Sequence, residues 1–172
     1  MLHNFEMSYN TISLVPLEYH HIHLLRILRN KARFYFKCSN VISAEDQENW
    51  FSLYKSTPHD YMFAVLKNDF FIGASALYGI NQTLKTAEFG RLVIDKDIPT
   101  TKGTGKEATY LTCLIGFQLL GLDAIFLEVL DNNISAIKTY YRVGFTENHR
   151  DKNIIKMKLK KEQILHERGH TL

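Results

Sequence analysis

Three strand-like segments follow one another in the middle of this 172-residue chain, and no helical segment separates them. Residues 61–66 and 70–80 are largely apolar and flank the turn residues Asn68 and Asp69, a pattern that predicts a β-hairpin. Residues 86–94 form the third segment. A doubly wound parallel sheet requires a helix between successive strands, so this succession argues against that fold.

Helical and strand-like segments flank these three strands on both sides. Residues 11–17 alternate like a strand, and residues 18–33 carry apolar side chains on one helical face. Ser43, followed by acidic residues, predicts the start of a second helix. The chain then predicts a long helix from Gly103 or Gly105 to Leu120 closed by Gly121, a buried strand at 124–129, a helix at 135–143 and a strand at 153–159. The order predicts one α/β domain over residues 1–172 with a mixed sheet.

Composition and charge narrow the classes of partner. Hydrophobic residues make up 45% and charged residues 23%, as in ordinary globular proteins. The net charge of +3 comes from dispersed lysines and arginines, whereas nucleic-acid binders usually carry a basic stripe. Residues 1–10 lack a signal-peptide pattern and no apolar run is long enough to span a bilayer. We therefore predict a cytoplasmic protein that binds neither nucleic acid nor membrane, with Cys38 and Cys113 as unpaired thiols.

A polar turn with two glycines lies between the third strand-like segment and the long apolar helix. Its residues are Thr100, Thr101, Lys102, Gly103, Thr104, Gly105 and Lys106. A helix N-terminus exposes unpaired amide N–H groups and carries the positive end of the macrodipole. Glycines let the backbone approach an anion closely, and Lys102 and Lys106 add positive charge. We predict that this turn holds a diphosphate.

Two other phosphate-binding motifs fit this turn poorly. A Walker A loop requires a glycine where Thr100 stands and a serine or threonine where Glu107 stands. A dinucleotide fingerprint would need its last small residue at Ala108 and would open a βαβ unit near the N-terminus. The turn alone is also compatible with another interpretation, in which it is a plain loop that begins a helix and binds no ligand.

A second motif lies one strand further along the chain. Asn133, Ala136, Tyr140, Gly144 and Phe145 follow the pattern Asn-x-x-Ala-x-x-x-Tyr-x-x-x-Gly-Phe. Together with the glycine turn, this motif resembles the GNAT acetyltransferases, whose turn reads Gln/Arg-x-x-Gly-x-Gly/Ala. The resemblance covers about residues 87–147 and departs from the family at Thr100, where Gln or Arg is usual. It implies an α/β fold of GNAT type, in which helices flank a mixed, mostly antiparallel sheet that splays between its fourth and fifth strands.

The resemblance also implies a cofactor and the residues that hold it. Such enzymes transfer an acetyl group from acetyl-CoA to a primary amine by direct attack, without a metal or a covalent enzyme intermediate. The pantetheine arm would pair with the splayed fourth strand at Leu92, Val93 and Ile94, and the amide of Leu92 would contact the developing oxyanion. Asn133 would hydrogen-bond the pantetheine, and Ala136 would also contact the cofactor.

Two side chains are candidates for proton transfer. Tyr140 stands where the family has a tyrosine near the sulfur, which implies a general acid, although a packed aromatic is the other interpretation. Glu88 lies on the cofactor-bearing strand at a position that is often acidic in the family, which implies the base, acting directly or through water. A solvated carboxylate remains open for Glu88. Cys113 lies mid-helix among apolar neighbours, so we do not expect it to act as a nucleophile.

The N-terminal half resembles members that acetylate nucleotide-linked amino sugars and relatives that act on ribosomal-protein N-termini. For a sugar nucleotide, Arg33 would pair with phosphate and Trp50 would stack on a base or sugar. Another small amine, a protein N-terminus and a non-catalytic acyl-CoA-binding domain remain as alternatives. The oligomeric state is left open between monomer and homodimer.

Overall fold

Eight strands and five α-helices lie within residues 3–166, which the computed structural model describes except for the side chains of Thr100, Leu165 and His166. The strands are β1 (Met7–Tyr9), β2 (Ile12–Pro16), β3 (Tyr61–Lys67), β4 (Phe70–Asn81), β5 (Thr86–Ile94), β6 (Ala124–Leu130), β7 (Thr146–Asp151) and β8 (Ile154–Lys160). The α-helices are α1 (Ile22–Lys31), α2 (Ala44–Ser56), α3 (Thr104–Gln118), α4 (Ile134–Val143) and α5 (Lys161–His166). The predicted α/β class is confirmed.

The strands of this part of the chain form one sheet in the order β1-β2-β3-β4-β5-β6-β8-β7. Neighbouring strands are antiparallel except for the parallel pair β5–β6. Alternate residues of β3 face opposite sides, as the pleat of a strand requires. Phe63 and Val65 join a buried cluster that includes much of α3, whereas Met62 and Ala64 join a second cluster with residues of α1 and α2. Helices therefore cover both faces of the sheet.

The parallel pair separates soon after it forms, and this separation positions the site. β5 and β6 pair only at Thr86–Ala124, Ala87–Ile125 and Glu88–Phe126. Beyond Glu88 the two strands no longer pair. β5 and β6 are the fourth and fifth of the strands expected from the sequence, so the predicted splay is confirmed. β5 also carries a bulge, because Ala74 pairs with Val93 while Ala76 pairs with Gly90. The extra residues include Arg91, whose backbone φ is 54°.

Capping and turn residues in the sequence predicted most helix ends and the β3–β4 turn correctly. Ser43 caps α2 in a reciprocal capping box with Asp46, as expected. Asn68 and Asp69 both have positive φ, which is the geometry of a tight hairpin turn between β3 and β4. The predicted end of α3 is wrong by two residues, because the helix ends at Gln118 and the amides of Leu119 and Leu120 both donate to the carbonyl of Ile115.

Three short elements were not predicted. β1 has three residues, β7 has six exposed residues, and α5 is a six-residue helix. β1 and β7 are the edge strands of the sheet. β1 is too short to show a strand pattern, and β7 consists of polar residues without hydrophobic alternation. Within residues 3–166, no helix combines the length and the apolar character that a membrane crossing needs.

Candidate active site

A cleft with a volume of about 770 Å³ opens where β5 and β6 separate. It is lined by β5 from Glu88 to Ile94, by the turn before α3, by the start and inner face of α4, and by the segment that follows α1. The two motifs that were separate in sequence therefore meet in one cavity. Glu88 and Tyr140, the two predicted proton-transfer residues, both line it.

The backbone of the predicted phosphate turn is arranged to receive an anion. Gly103 is the N-cap of α3 and has a φ of 89°, a left-handed conformation that favours glycine. The amides of Lys106 and Glu107 donate to the carbonyl of Gly103, at 2.9 and 3.4 Å. The amides at the start of α3 have no acceptor within the helix itself. These amides are thus available at the positive end of the α3 dipole.

Gly105 leaves open space beside these amides. A Cβ built at this position would have no heavy atom within 4 Å, although Gly105 lines the cleft. Lys102 and Lys106 line the same part of the cleft and are exposed. A diphosphate fits a cradle of this kind, because backbone donors, a missing side chain and two cations converge on it.

The threonines of the turn differ from expectation. The hydroxyl of Thr101 donates to the carbonyls of Asp95 and Ile98, at 2.6 and 2.8 Å, so it stabilises the preceding loop and is not free for a phosphate. The hydroxyl of Thr104 is buried without a hydrogen-bond partner among the described residues, and its side chain does not line the cleft. The predicted contact of the Thr100 side chain lies outside the described part of the chain.

The predicted pantetheine strand runs along the cleft. Leu92, Val93 and Ile94 all line it, immediately after the bulge at Arg91. Gly73 on β4 holds this strand close, because a Cβ at Gly73 would lie 2.1 Å from the carbonyl oxygen of Val93. The backbone of β5 is therefore fixed on the β4 side while its other edge faces the splay.

Asn133 and Ala136 line the cleft from the start of α4, as predicted. The Oδ1 of Asn133 caps the helix by accepting from the amide of Ala136, at 3.3 Å. Its side-chain NH₂ has no partner among residues 3–166 and remains available as a donor. Asn133 thus has a structural role that does not use up its hydrogen-bonding capacity.

Tyr140 is held by aromatic packing and not by hydrogen bonds. Its ring lies 5.9 Å from both Phe89 and Phe145, centroid to centroid, and is 8% exposed. No hydrogen bond joins its hydroxyl to another described residue. Burial raises the pKa of this phenol well above its ordinary value, so the hydroxyl keeps its proton at neutral pH. A phenol is protonated at neutral pH with or without this shift, and it is the position of Tyr140 in the cleft that makes it the candidate general acid.

Glu88 is the last residue of β5 that pairs with β6, and it lines the cleft. The hydroxyl of Tyr78 on β4 donates to its Oε1 at 2.6 Å. Burial, and then the neighbouring carboxylate, raises the pKa of Tyr78, which keeps this phenol a donor. Glu88 is therefore an oriented carboxylate beside the cleft and not a freely solvated one.

The two residues predicted to bind the acceptor do not line the cleft. Arg33 donates to the carbonyl of Asn30 at 3.2 Å and stacks over Phe34. Trp50 stacks on Tyr54 with ring centroids 5.4 Å apart, on the α2 side of the sheet. The structure therefore does not bring either residue to the cleft, because α1 packs with a different side chain towards it and α2 does not line it.

Sequence reasoning missed several cleft residues with polar or aromatic side chains, namely Arg29, Phe36, Lys37, Tyr78, Arg91 and Glu128. Arg91 lies within the recognised cofactor strand, directly before Leu92, so its place near the site was open to prediction. Arg29 and Phe36 reach the cleft only through the packing of α1. No motif in the sequence marks them.

The charged residues of the cleft are mostly basic. Its acidic residues are Glu88 and Glu128, and its basic residues are Arg29, Lys37, Arg91, Lys96, Lys102, Lys106, Lys138 and Arg142. Glu128 is bound by Lys37 and by Lys156, the latter at 3.1 Å, and these cations lower its pKa. The cleft as a whole therefore favours negatively charged ligands.

Residues 12–146 match a protein-family model described as an acetyltransferase (GNAT) domain. The chain belongs to the GNAT acetyltransferase family. It is an enzyme of the class that transfers acetyl groups from acetyl-CoA, and the predicted family is confirmed, while the amino-sugar or ribosomal-protein branch is not decided by this match. No curated protein matches the sequence of this acetyltransferase.

Solved structures of other GNAT enzymes have the same fold. Apo FdhC, a nucleotide-linked sugar GNAT, aligns with a TM-score of 0.82 at 20% identity over 96% of this chain and 95% of its own. The spermidine N-acetyltransferase of Vibrio cholerae in complex with CoA and spermine aligns with a TM-score of 0.79 at 22% identity, over 90% and 98% of the two chains. At these identities the likeness extends to the fold alone.

The two cysteines of this acetyltransferase differ in burial. Cys113 is fully buried in α3, and burial raises the pKa of its thiol, which disfavours a thiolate nucleophile. Cys38 is exposed and free. Among residues 3–166, no group of three or more His, Cys, Asp or Glu side chains is arranged to hold a metal ion.

Proposed function

We propose that this enzyme acetylates the primary amine of a small anionic molecule, with a nucleotide-linked amino sugar as the best-supported class of acceptor. The observation that carries the proposal is the shared cleft between β5 and β6. One cavity contains the glycine turn, the strand from Leu92 to Ile94, Tyr140 and Glu88. Binding and proton transfer thus belong to the same site.

The backbone and side chains of the cleft divide the binding of acetyl-CoA between them. The backbone amides of residues 102–105, with Lys102 and Lys106, bind the diphosphate. The backbone of β5 pairs with the pantetheine arm, and the side-chain amide of Asn133 donates to it. When bound, acetyl-CoA supplies the thioester acetyl group. The amide of Leu92 stabilises the negative charge that develops on the carbonyl oxygen.

Glu88 and Tyr140 move the two protons of the reaction. Glu88 accepts the proton that the amine loses as its nitrogen bonds to the acetyl carbon, either directly or through one water. Tyr140 donates its phenolic proton to the thiolate that leaves when the carbon–sulfur bond breaks. Support for the second role comes from the position of Tyr140, which lines the same cavity as the glycine turn and Glu88.

The charge of the cleft favours a sugar nucleotide over a polyamine. FdhC is a nucleotide-linked sugar GNAT, and the Vibrio cholerae enzyme is a spermidine acetyltransferase. A polyamine carries several positive charges and needs an acidic cleft, whereas Glu128 is already paired with Lys37 and Lys156. Lys102 and Lys106 are assigned to the diphosphate of CoA, and the basic residues that remain, Arg29 among them, favour a further anionic group. The same argument weakens a basic protein N-terminus as the acceptor.

A two-step experiment tests this function. Thermal unfolding with and without acetyl-CoA first measures cofactor binding, and a thiol-release assay then compares UDP- and dTDP-linked amino sugars with spermidine and a ribosomal-protein N-terminal peptide. We expect stabilisation by acetyl-CoA and the highest kcat/KM with an amino-sugar nucleotide. Binding without release of CoA for every amine would favour the non-catalytic acyl-CoA-binding alternative. Faster turnover of spermidine would reject the anionic acceptor.

A further inference from the structure

Arg29 has an unusual environment for a cation in the cleft. It lies in α1, lines the cleft, and stacks its guanidinium on Phe36 with Cζ 3.4 Å from the ring centroid. Its Nη1 is buried without a hydrogen-bond partner, and no hydrogen bond joins its guanidinium to any other described residue. Buried donors in native proteins are nearly always satisfied, so an orphan in a cleft indicates a missing partner.

The neighbouring cations, in contrast, are occupied. The Nη1 of Arg91 donates to Asp60 at 2.6 Å, and its guanidinium stacks over Tyr78. Lys37 binds Glu128, as described above. Arg29 has an aromatic platform but no carboxylate partner within residues 3–166. Its charge is therefore fixed in place and is not neutralised by a carboxylate of the described residues.

Arg29 remains a cation under working conditions. Burial, and then the positive charge of Arg91, lowers its pKa to about 10, while the nearby Cys38 acts in the opposite direction. The group is still protonated at neutral pH. Stacking on Phe36 holds the planar guanidinium in one orientation. The Arg29 side chain therefore loses less conformational entropy when it binds an oxyanion. Guanidinium and oxyanion pair with two parallel hydrogen bonds.

We propose that Arg29 is a specificity-determining residue that binds an oxyanion of the acceptor, a phosphate or a carboxylate, while Phe36 holds its guanidinium in place. This inference rests on the proposed function and specifies which part of the acceptor the enzyme recognises. The groups around Arg29 belong to the segment after α1 and to β5, not to the glycine turn. The anion it binds is accordingly separate from the diphosphate of CoA.

Binding measured on CoA-saturated enzyme tests this inference, because saturation fills the cofactor site. Calorimetry would follow UDP, inorganic pyrophosphate and succinate in turn, with spermidine as the cationic comparison. The variants are Arg29→Gln, Arg29→Lys and the matched control Arg33→Gln, which changes an arginine just beyond α1 that does not line the cleft. Thermal unfolding of each variant, and its affinity for CoA alone, report on folding and on the cofactor site.

We expect at least one oxyanion to bind, and Arg29→Gln to weaken its binding by about tenfold or more. Arg29→Lys retains the charge without the planar fork and should fall between wild type and Arg29→Gln. Arg33→Gln should match wild type, and CoA affinity should be equal in all four proteins. UDP or pyrophosphate binding would identify a phosphate, and succinate binding alone would identify a carboxylate.

Three results would overturn the inference. They are no oxyanion binding to the CoA-loaded wild type, equal binding by Arg29→Gln, and a loss of CoA affinity in Arg29→Gln, which would assign Arg29 to the cofactor. A failure of the proposed function looks different. In that case wild-type enzyme releases no CoA with any amine, whatever the oxyanion titrations show.

Discussion

The hydroxyl of Tyr78 donates to the Oε1 of Glu88 at 2.6 Å, across the β4–β5 pair in which these two residues lie directly opposite each other. Gly90 leaves room for this contact, because a Cβ there would lie 2.7 Å from the Tyr78 hydroxyl oxygen. Tyr78 keeps its proton, since burial and the carboxylate both raise its pKa. The candidate base is therefore oriented by a neighbouring strand.

Removing this carboxylate should abolish most activity. We expect Glu88→Gln to lower kcat by about 10²-fold or more while CoA affinity changes little, because Gln cannot accept the amine proton. Tyr78→Phe, which removes only the orienting donor, should lower kcat by about tenfold. Steady-state kinetics with calorimetry for CoA would measure both, with Glu45→Gln on the exposed face of α2 as the control. A Glu88→Gln enzyme within about twofold of wild type would exclude Glu88 as the base.

Replacing Tyr140 should separate chemistry from binding. Tyr140→Phe keeps the packing against Phe89 and Phe145 but removes the proton donor, so we expect kcat to fall by about 10²-fold or more with a modest change in CoA affinity. Tyr141→Phe is the matched control, because its side chain is 48% exposed and its hydroxyl points to Glu147. Equal turnover by the two variants would remove Tyr140 from the acid role.

The glycine turn should respond differently at its two glycines. Gly105→Ala places a methyl group in open space, so we expect unchanged or slightly higher thermal stability but CoA affinity lower by about tenfold. Gly103→Ala forces a side chain into a left-handed conformation and should lower stability by about 1 kcal/mol or more. Differential scanning fluorimetry and CoA calorimetry on both variants make the comparison. Undiminished CoA affinity in Gly105→Ala would show that the diphosphate does not approach this residue.

Stability should fall in mild acid because of His21. Its Nδ1 accepts from the amide of Glu18 at 3.0 Å and its ring stacks on Phe71, and burial, then His20, lowers its pKa to about 4. An unfolded histidine titrates near 6.5, so between these values the unfolded chain binds a proton that the folded protein does not. Stability is thus lost as pH falls from about 6.5 towards 4, by on the order of 1–2 kcal/mol after solvent screening.

Urea unfolding at about pH 7 and pH 5 checks this titration. Relative to wild type, His21→Gln should be less stable at the higher pH but should lose less stability between the two, because the buried ring no longer titrates. His23→Gln, at an exposed position on α1, should keep the wild-type pH dependence. Identical pH dependence in all three proteins would assign the acid sensitivity to other groups.

Local patterns in the sequence were sufficient for the elements that depend on near neighbours. Ser43 with Asp46, Asn68 with Asp69, and Gly144 after α4 each determine a cap or turn within a few residues. The motif from Asn133 to Phe145 identified the family for the same reason, because its residues lie on one helix and the strand after it. These features depend on the spacing of residues along the chain, so they can be predicted without knowledge of distant contacts.

Residue spacing could not predict which side chains form the acceptor side of the cleft. Arg33 and Arg29 lie four residues apart in one segment, yet Arg29 lines the cleft and Arg33 stacks on Phe34 outside it. Which of them faces the site depends on where α1 ends and how the chain turns after it. Trp50 was likewise assigned to the substrate, although the stacking of Tyr54 holds it on the α2 side.

By itself, the sequence determined the order of the strands and helices other than β1, β7 and α5, the glycine turn that opens α3, and the tyrosine motif of α4. Only the tertiary structure decided that β5 and β6 stop pairing at Glu88, and that Arg29, Tyr78 and Arg91 meet in the gap. The physical reason is the distance along the chain over which each interaction acts. Caps, turns and periodicity act between residues close in the chain, whereas the end of a strand pair and the charge of a cleft are set by contacts between segments far apart in sequence.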